Sequence, residues 1–551
     1  MAKSKLAPPA SRAESGSPGA GWSQGILRIL DRRSGWLAVL FVAIATARIA
    51  AVYPVYNHTI DEPAHIACGM EWLDKGTYRL EDQHPPLSRV ASALGPRLAG
   101  AHAWGRNTIY NEGAAILYDG RFEAGRYQQL LSLARTGILP FFWLACGAVF
   151  WWTWRGVGSV EAVCAVLLLS LTPPVLAHAG LATTDMAVTA GVAATVFSLQ
   201  FWLKAPDWRS ALLLAAAVAI AVLSKFSSLV FLPAFAAAFI ALLWSGGERP
   251  RFHWPSLGLA ALAGALLIWG GYCFSFGPGP WGFPVPAPEL FSGIHTVREH
   301  NRMGHPSYLF GELNQTGWGH YYLVVLAVKT PLPLLALAAY GAWLAWQRRV
   351  AAGIAALALI AGVLAVATFS SINIGVRHIL PVYLGFSVLG ALALTELLRS
   401  RLDWAGGAQM LLLAAGGATA HPDYLPYFNV LAGGEPEKIL ADSDLDWGQD
   451  MNRLAGRLHE LGAQQVAFNP FISAHLERVH GFPRIVPSDP FNPEPGWNAI
   501  SITAWKVARM GLGNDFAKTP LWPDRFQPSE RVGQGVFLYY FPPRLFTQQP
   551  R

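Results

Sequence analysis

The sequence predicts a polytopic α-helical membrane protein of about eleven spans, followed by a small extracytoplasmic C-terminal α/β domain. Three observations carry this: the composition, the recurrence of long apolar runs, and a change of character after residue 420. Of 551 residues, 53% are hydrophobic and only 14% charged, with 22 Trp and 29 Phe. Soluble domains carry roughly 25% charge. The net charge of +7 raises nucleic-acid binding as a possibility. The basic residues, however, are scattered in short loops, which is the distribution of a cytoplasmic-side bias.

A membrane-crossing helix needs about 20 mostly apolar residues. The runs 36–54, 136–154, 158–178, 186–203, 209–226, 227–244, 255–275, 320–346, 351–370, 376–398 and 407–420 meet or approach this length. Residues 1–25, rich in Ser, Gly, Ala and Pro, are expected to be disordered. They belong to a basic arm, 1–35, that carries Arg28, Arg32 and Arg33 before a first run that reads as a retained anchor. Arg155, the Lys204–Arg209 link, Arg249 with Arg251, Arg348 with Arg349, and Arg399 with Arg401 recur on one side of the alternation. Short Lys/Arg-rich loops stay cytoplasmic, so the N-terminus is expected inside. The multi-span unit is then 36–420, with outer loops 55–130 and 276–319 and an outer tail 421–551.

In the first outer loop, Ile66, Ala67, Met70 and Leu73 fall at helical spacing across Pro63–Asp74, with Gly76 as a stop. Such a helix is expected to lie on the membrane surface with its apolar stripe down. The second outer loop is Gly/Pro-rich from 277 to 286 and polar from 298 to 314. In the tail, Gln465–Phe468 and Ala499–Ala504 read as short strands and Asp446–Leu461 as a helix. The four cysteines are dispersed, and Cys146, Cys164 and Cys273 lie in apolar runs as small hydrophobes, which argues against a disulfide framework.

The chemistry-bearing residues gather in the outer loops and at span edges. Asp61 is a candidate general base for an acceptor hydroxyl, with His65 one turn on. Glu62 suits a helix cap next to Pro63 as well as an assisting role. His84 is followed by two prolines, which fix the local backbone and remove two donors. Thr184 and Asp185 end one span and open the next, as a site edge or a cap. Lys225, Lys329, Arg377 and His378 are cations or imidazoles at membrane depth or at its outer edge, where charge is a functional signal. Arginine and lysine there suit phosphate oxygens. Asp442, Asp444, Asp446 and Asp450 fail the EF-hand pattern, since Trp447 and Arg453 stand where it has Gly and Glu. Loop ordering is the simpler reading, and a divalent metal of another kind stays open. No Walker loop, dinucleotide fingerprint, His-Glu-x-x-His or Gly-x-Ser-x-Gly motif is present. An activated substrate is therefore expected to arrive through the membrane.

Taken in order, Asp61-Glu62-Pro63-x-His65, His84-Pro85-Pro86-Leu87, Thr184-Asp185, the Lys225 turn and Arg377-His378-Ile379-Leu380-Pro381 resemble the bacterial glycosyltransferase family 39-type proteins. These are relatives of protein mannosyltransferases and ArnT-like aminoarabinose transferases, with the membrane glycosyltransferase C fold. Tyr424–Gly434 with Asp442–Asp450 is similar to a bacterial branch of that group. The resemblance covers roughly residues 36–450 and nothing beyond. It implies transfer of a hexosyl or pentosyl unit from a polyprenyl-phosphate-linked donor to a lipid, glycan or protein acceptor. The site would face outward from the bacterial inner membrane, with inversion at the anomeric carbon. It also implies a catalytic role for Asp61, support from Glu62 and Asp185, and a lipid phosphate near His84, Lys225, Arg377 and His378. Two other classes fit many spans: a transporter or flippase of lipid-linked saccharides, and an envelope assembly protein whose tail binds a partner. A transporter would place paired charges and broken helices near the midplane, whereas the charged motifs here sit mostly in outer loops.

Overall fold

The computed structural model describes residues 21–250, 252–507 and 520–543. Residues 1–20 of the N-terminal arm, and Arg251, lie outside the described residues. Every one of the predicted apolar runs falls on a helix or a bent pair of helices. Among the described residues, seven helices are long and apolar enough to cross a membrane, or up to nine if each bent pair is one span. Trp208–Ser224 and Asp403–Thr419, of 17 residues each, account for the remaining two runs.

The two bends have local causes. Ser159–Leu171 meets Pro173–Ala179 at 71°, and Tyr321–Lys329 meets Leu332–Arg348 at 116°. A proline follows the break in each case, and its ring removes a backbone donor and excludes helical geometry from the residue before it. Accordingly Thr172 and Thr330 are extended, with ψ of 111° and 134°. Small residues set the helix spacing elsewhere, as expected within a bundle in lipid. A Cβ at Gly341 would stand 1.8 Å from the Leu389 carbonyl oxygen, and one at Gly191 would stand 2.5 Å from the Ala221 Cα.

The N-terminal expectation needs correction. Residues Gly21–Arg32 form a helix, because Leu27 and Leu30 pack against the main core, although Trp22, Ile26 and Ile29 remain exposed.

The first outer loop folds into helices Asp61–Lys75, Pro86–Leu98 and Ile109–Tyr118, with Ala124–Thr136 leading into the next span. The predicted helix is present, and Gly76 closes it in the left-handed region at φ 61°. It does not lie on a membrane surface, however. Ile66, Ala67 and Met70 are fully buried in a protein core with Ala114, Leu130 and Leu131. Two glycines make that enclosure tight. A Cβ at Gly69 would fall 2.0 Å from the Arg89 carbonyl oxygen, and one at Gly113 would fall 2.0 Å from that of Pro63.

The second outer loop forms the hairpin Phe276–Pro278/Pro284–Pro286, the helix Pro288–Met303 and the hairpin Ser307–Leu309/Glu312–Asn314. The tail forms a mixed five-stranded sheet in the order Arg484–Val486, Gln465–Ala467, Gly496–Ser501, Val536–Phe541, Glu530–Val532. The first two pairings are parallel and the last two antiparallel. Helix Met451–Glu460 starts later than the sequence suggests. All three outer segments touch. Tyr118 Oη lies 2.8 Å from His480 Nε2, Thr296 donates to Asp82 at 3.0 Å, and Phe310 N donates to Ile439 O at 3.1 Å.

Candidate active site

Where these segments converge, a cavity of about 590 Å³ opens. Asp61, His65, His84, Lys225, Arg377 and His378 line it, six of the nine residues singled out from the sequence, and so does Thr184. Asp61 stands at the first position of its helix, where the backbone dipole favours a carboxylate. Its Oδ2 accepts a hydrogen bond from Arg377 Nη1 at 2.7 Å, with side chains 27% and 11% exposed. Arg377 comes from a tight turn, Val376–Ile379, entered through Gly375 at φ 85°. Its guanidinium also lies 4.2 Å from the centre of the Trp447 ring.

Lys225 sits in the break between helices Trp208–Ser224 and Ser228–Ser245, and its Nζ donates to Asp185 Oδ1 at 2.6 Å. Asp185 is buried behind the cavity wall and orients the lysine. His378 is held between Tyr322, stacked at 5.9 Å, and Phe231, edge-on at 6.0 Å.

The two prolines do more than fix the backbone after His84. Pro86 opens helix Pro86–Leu98, which delivers Arg89 into the site. Arg89 lines the cavity and is almost fully buried. It is ion-paired with Glu81 and donates to His65 Nδ1 at 3.2 Å and Tyr78 Oη at 3.0 Å. Burial first, and then the Arg89 charge, push His65 down to about 3 and His84 well below its ordinary value. Both imidazoles are therefore neutral near pH 7.

Gln83 and the helix Pro288–Met303 supply a wall of hydrogen-bonding groups, with Arg298 among its lining residues. Gln83 Nε2 donates to His300 Nδ1 at 2.6 Å, and His300 Nε2 lies 3.3 Å from His305 Nδ1. Burial and then Arg377 bring His305 down to about 4. Asn301 Oδ1 accepts from Ser370 Oγ at 3.0 Å. Leu229, Val230, Val366 and Phe369 give the cavity an apolar side between helices Ser228–Ser245 and Ala351–Thr368.

Two expectations are corrected. Glu62 does not reach the cavity. Its Oε1 accepts from Arg135 Nε at 2.8 Å and Ala182 N at 3.0 Å, and its Oε2 accepts from Arg135 Nη2 at 2.9 Å and Thr59 N at 2.8 Å. Burial pushes this carboxyl up, but the Arg135 charge and these donors outweigh it and hold the group below the usual glutamate value. The bond to Thr59 N ties the helix start to the residue two before it. Lys329 is also turned away. It is buried at the second bend, where Nζ donates to Leu425 O at 2.8 Å and Asp444 O at 2.5 Å, ordering the chain beneath the site.

The acidic run likewise binds protein rather than gathering around a common point. Asp444 accepts from Val376 N at 2.9 Å, Asp446 from Thr503 N at 2.9 Å, and Asp450 from Gly535 N at 3.0 Å. No group of three or more His, Cys, Asp or Glu among the described residues is arranged to hold a metal ion. All four cysteines are free, and Cys273 is exposed rather than buried.

Sequence reading missed Arg89, Glu81, Gln83, Tyr110, His300, Asn301 and His305 as cavity residues. Arg89 left one signal, a lone arginine among Ser88, Ser92 and Ala93 on an otherwise buried helix face.

Residues 141–269 match the family model described as dolichyl-phosphate-mannose-protein mannosyltransferase. A search of curated protein sequences returns no match. Among solved structures, ArnT from Cupriavidus metallidurans bound to undecaprenyl phosphate is 20% identical over 74% of this chain and 68% of that one, with a TM-score of 0.51. The same protein in the apo state is 19% identical over the same shares, at 0.48. The oligosaccharyltransferase AglB from Archaeoglobus fulgidus, in complex with an inhibitory peptide and a dolichol-phosphate, is 13% identical over 83% of this chain and 62% of that one, at 0.45.

The fold is thus that of a multi-pass membrane glycosyltransferase of the C type. The family match spans residues 141–269, and the ArnT likeness extends over 74% of the chain at the level of fold.

Proposed function

We propose that this chain transfers a sugar from a polyprenyl-phosphate-linked donor to a hydroxyl-bearing lipid, glycan or protein acceptor. The reaction takes place on the outer face of a bacterial inner membrane, with the N-terminus cytoplasmic and the tail outside. The observation that carries this is the composition of one cavity. Asp61 shares it with Arg89, Lys225, Arg298 and Arg377, between a wall of hydrogen-bonding groups and an apolar side formed by membrane helices.

Each wall has a task. Lys225 and Arg377, with His378 and His84 close by, bind the phosphate, and the apolar side leads its chain toward lipid. Gln83, Asn301, His300 and His305 offer donors and acceptors for sugar hydroxyls. Asp61 takes the proton of the acceptor hydroxyl as its oxygen attacks the anomeric carbon. The bond from that carbon to the phosphate oxygen breaks with inversion, and polyprenyl phosphate leaves into the cationic wall, where charge-assisted hydrogen bonds to guanidinium and ammonium groups stabilise it. Asp61 is held by Arg377. Phosphate oxygens compete for that guanidinium, so donor binding frees the carboxylate for the acceptor.

The two bent helix pairs suit the transporter reading as well. The deciding experiment incubates purified protein with synthetic polyprenyl-phosphate sugars and an extract of envelope acceptors, and follows the glycan by mass spectrometry. Polyprenyl phosphate released together with a new glycoconjugate supports transfer. An intact donor that only changes leaflet would replace this reading with the transporter.

A further inference from the structure

We infer that the Asp442–Asp450 segment is a strap that fixes Arg377 against Asp61, with Trp447 as its positioning residue. What the ion pair does rests on the transferase reading, whereas what holds it rests on geometry alone.

The strap touches the chain immediately before each partner. On the Asp61 side, Trp447 O accepts from Ile60 N at 3.1 Å. Asn57 brackets the same turn, donating from Nδ2 to Gly448 O at 2.7 Å and accepting from Met451 N through Oδ1 at 2.8 Å. On the Arg377 side, Asp444 Oδ1 accepts from Val376 N at 2.9 Å, and Ser443 Oγ donates to Ile374 O at 2.7 Å. A Cβ at Gly375 would fall 2.6 Å from Asp444 Oδ2, so the strap lies directly on that turn. Between these anchors the Trp447 ring covers the guanidinium at 4.2 Å. Residues 61 and 377 are therefore indexed to the same short segment, and the ring lies against the guanidinium of the ion pair.

The far side of the strap is tied into the C-terminal sheet. Asp446 accepts from Ser501 Oγ and Thr503 N, at the end of strand Gly496–Ser501. Asp450 accepts from Gln534 N at 3.1 Å and Gly535 N at 3.0 Å, in the turn between the last two strands. The alternation of aspartates thereby acquires a meaning. Asp444 faces the membrane unit, Asp446 and Asp450 face the sheet, and Trp447 reports the position of one to the other. The C-terminal sheet is thereby tied to the turn that carries Arg377.

The test uses full-length protein in lipid nanodiscs with two substitutions, Trp447→Met, which fills space without an aromatic face, and Trp447→Phe, which restores one. A cation over a desolvated ring is worth enough to predict a loss in kcat/KM of about ten-fold for Trp447→Met, with most of it regained in Trp447→Phe. Hydrogen exchange should quicken together in residues 57–61 and 374–378 of Trp447→Met, while strand Gln465–Ala467 stays protected. Wild-type turnover and exchange in Trp447→Met would overturn the inference, as would a Trp447→Phe variant equally impaired. If Trp447→Met does not accumulate, Asn57→Ser releases only the Asp61 end of the strap, and unchanged exchange in 57–61 then refutes it. Should wild-type protein transfer no sugar, the transferase reading falls, and the exchange measurements alone decide the strap.

Discussion

Two ion pairs begin at neighbouring residues and end in different roles. Asp61–Arg377 and Glu62–Arg135 have nearly the same length, 2.7 and 2.8 Å. The first leaves both side chains partly open to a cavity, and the second leaves them 1% exposed or less. Both Glu62 oxygens are saturated, and Arg135 also donates to the Tyr53, Tyr56 and Asn57 carbonyls at 3.3, 3.1 and 2.8 Å. A pair with every lone pair spent inside the protein is a brace. A pair with an open edge has capacity left for a substrate. Chemistry alone does not separate the two, because unused hydrogen-bonding capacity is a property of the surroundings.

Exchanging the two acids is the sharpest way to break this contrast. Asp61→Asn should lower transfer by a factor on the order of 10² to 10⁴, the usual contribution of a positioned base, with thermal stability and membrane yield unchanged in a melting assay. Glu62→Gln should do the reverse. Leaving the Arg135 charge buried without its counter-ion costs about 3–5 kcal/mol, seen as lost yield and a lower melting temperature before any kinetic effect. If Asp61→Asn melts early and Glu62→Gln melts normally, the comparison collapses.

The lysines repeat the pattern on a smaller scale. Removing a charge-assisted contact to phosphate should raise the donor KM about ten- to a hundred-fold in Lys225→Met. Lys329→Met should lower stability and leave the donor KM where it was. A KM shift in the second variant would return Lys329 to the substrate.

The smallest expected effect is on pH. Burial brings His58 and His65 down to about 3, whereas in the unfolded chain they protonate near 6.5. Below that value the unfolded chain binds more protons than the folded one, so stability is present above about pH 6.5 and falls as the solution is acidified. Each histidine contributes about 1 kcal/mol to that loss at pH 6, and replacing either with a neutral isostere should flatten the melting profile between pH 7.5 and 6.

Much of this was legible in the chain. The apolar runs located the helices because a bilayer demands length and composition and little else. The prolines at 173 and 331 stand at both bends, which the apolar runs 158–178 and 320–346 pass over as single spans. Asp61, Lys225 and Arg377 met because topology placed them on one side. What stayed hidden depends on contacts between distant segments. Glu62 and Lys329 carry the same charges as their functional neighbours, and only the positions of Arg135 and Asp444 show that they face inward. Arg89 and His300 belong to short amphipathic helices whose rotation is set by packing against other segments. The helix at 21–32 escaped because its composition resembles a linker, while Leu27 and Leu30 find a core that the sequence does not display.

The glycine contacts around the Asp61 helix have an evolutionary consequence. With Gly69 closed on Arg89 and Gly113 closed on Pro63, even one added methyl group pushes on the helix that carries Asp61, so this wall has little room to be retuned. The opposite wall hangs on the Pro288–Met303 helix between two hairpins whose tips, Phe310 among them, are exposed. Changes of sugar or acceptor preference among relatives should therefore accumulate between residues 276 and 319, leaving the 61–75 helix nearly fixed. One wall serves as the invariant tool and the other as the exchangeable jaw.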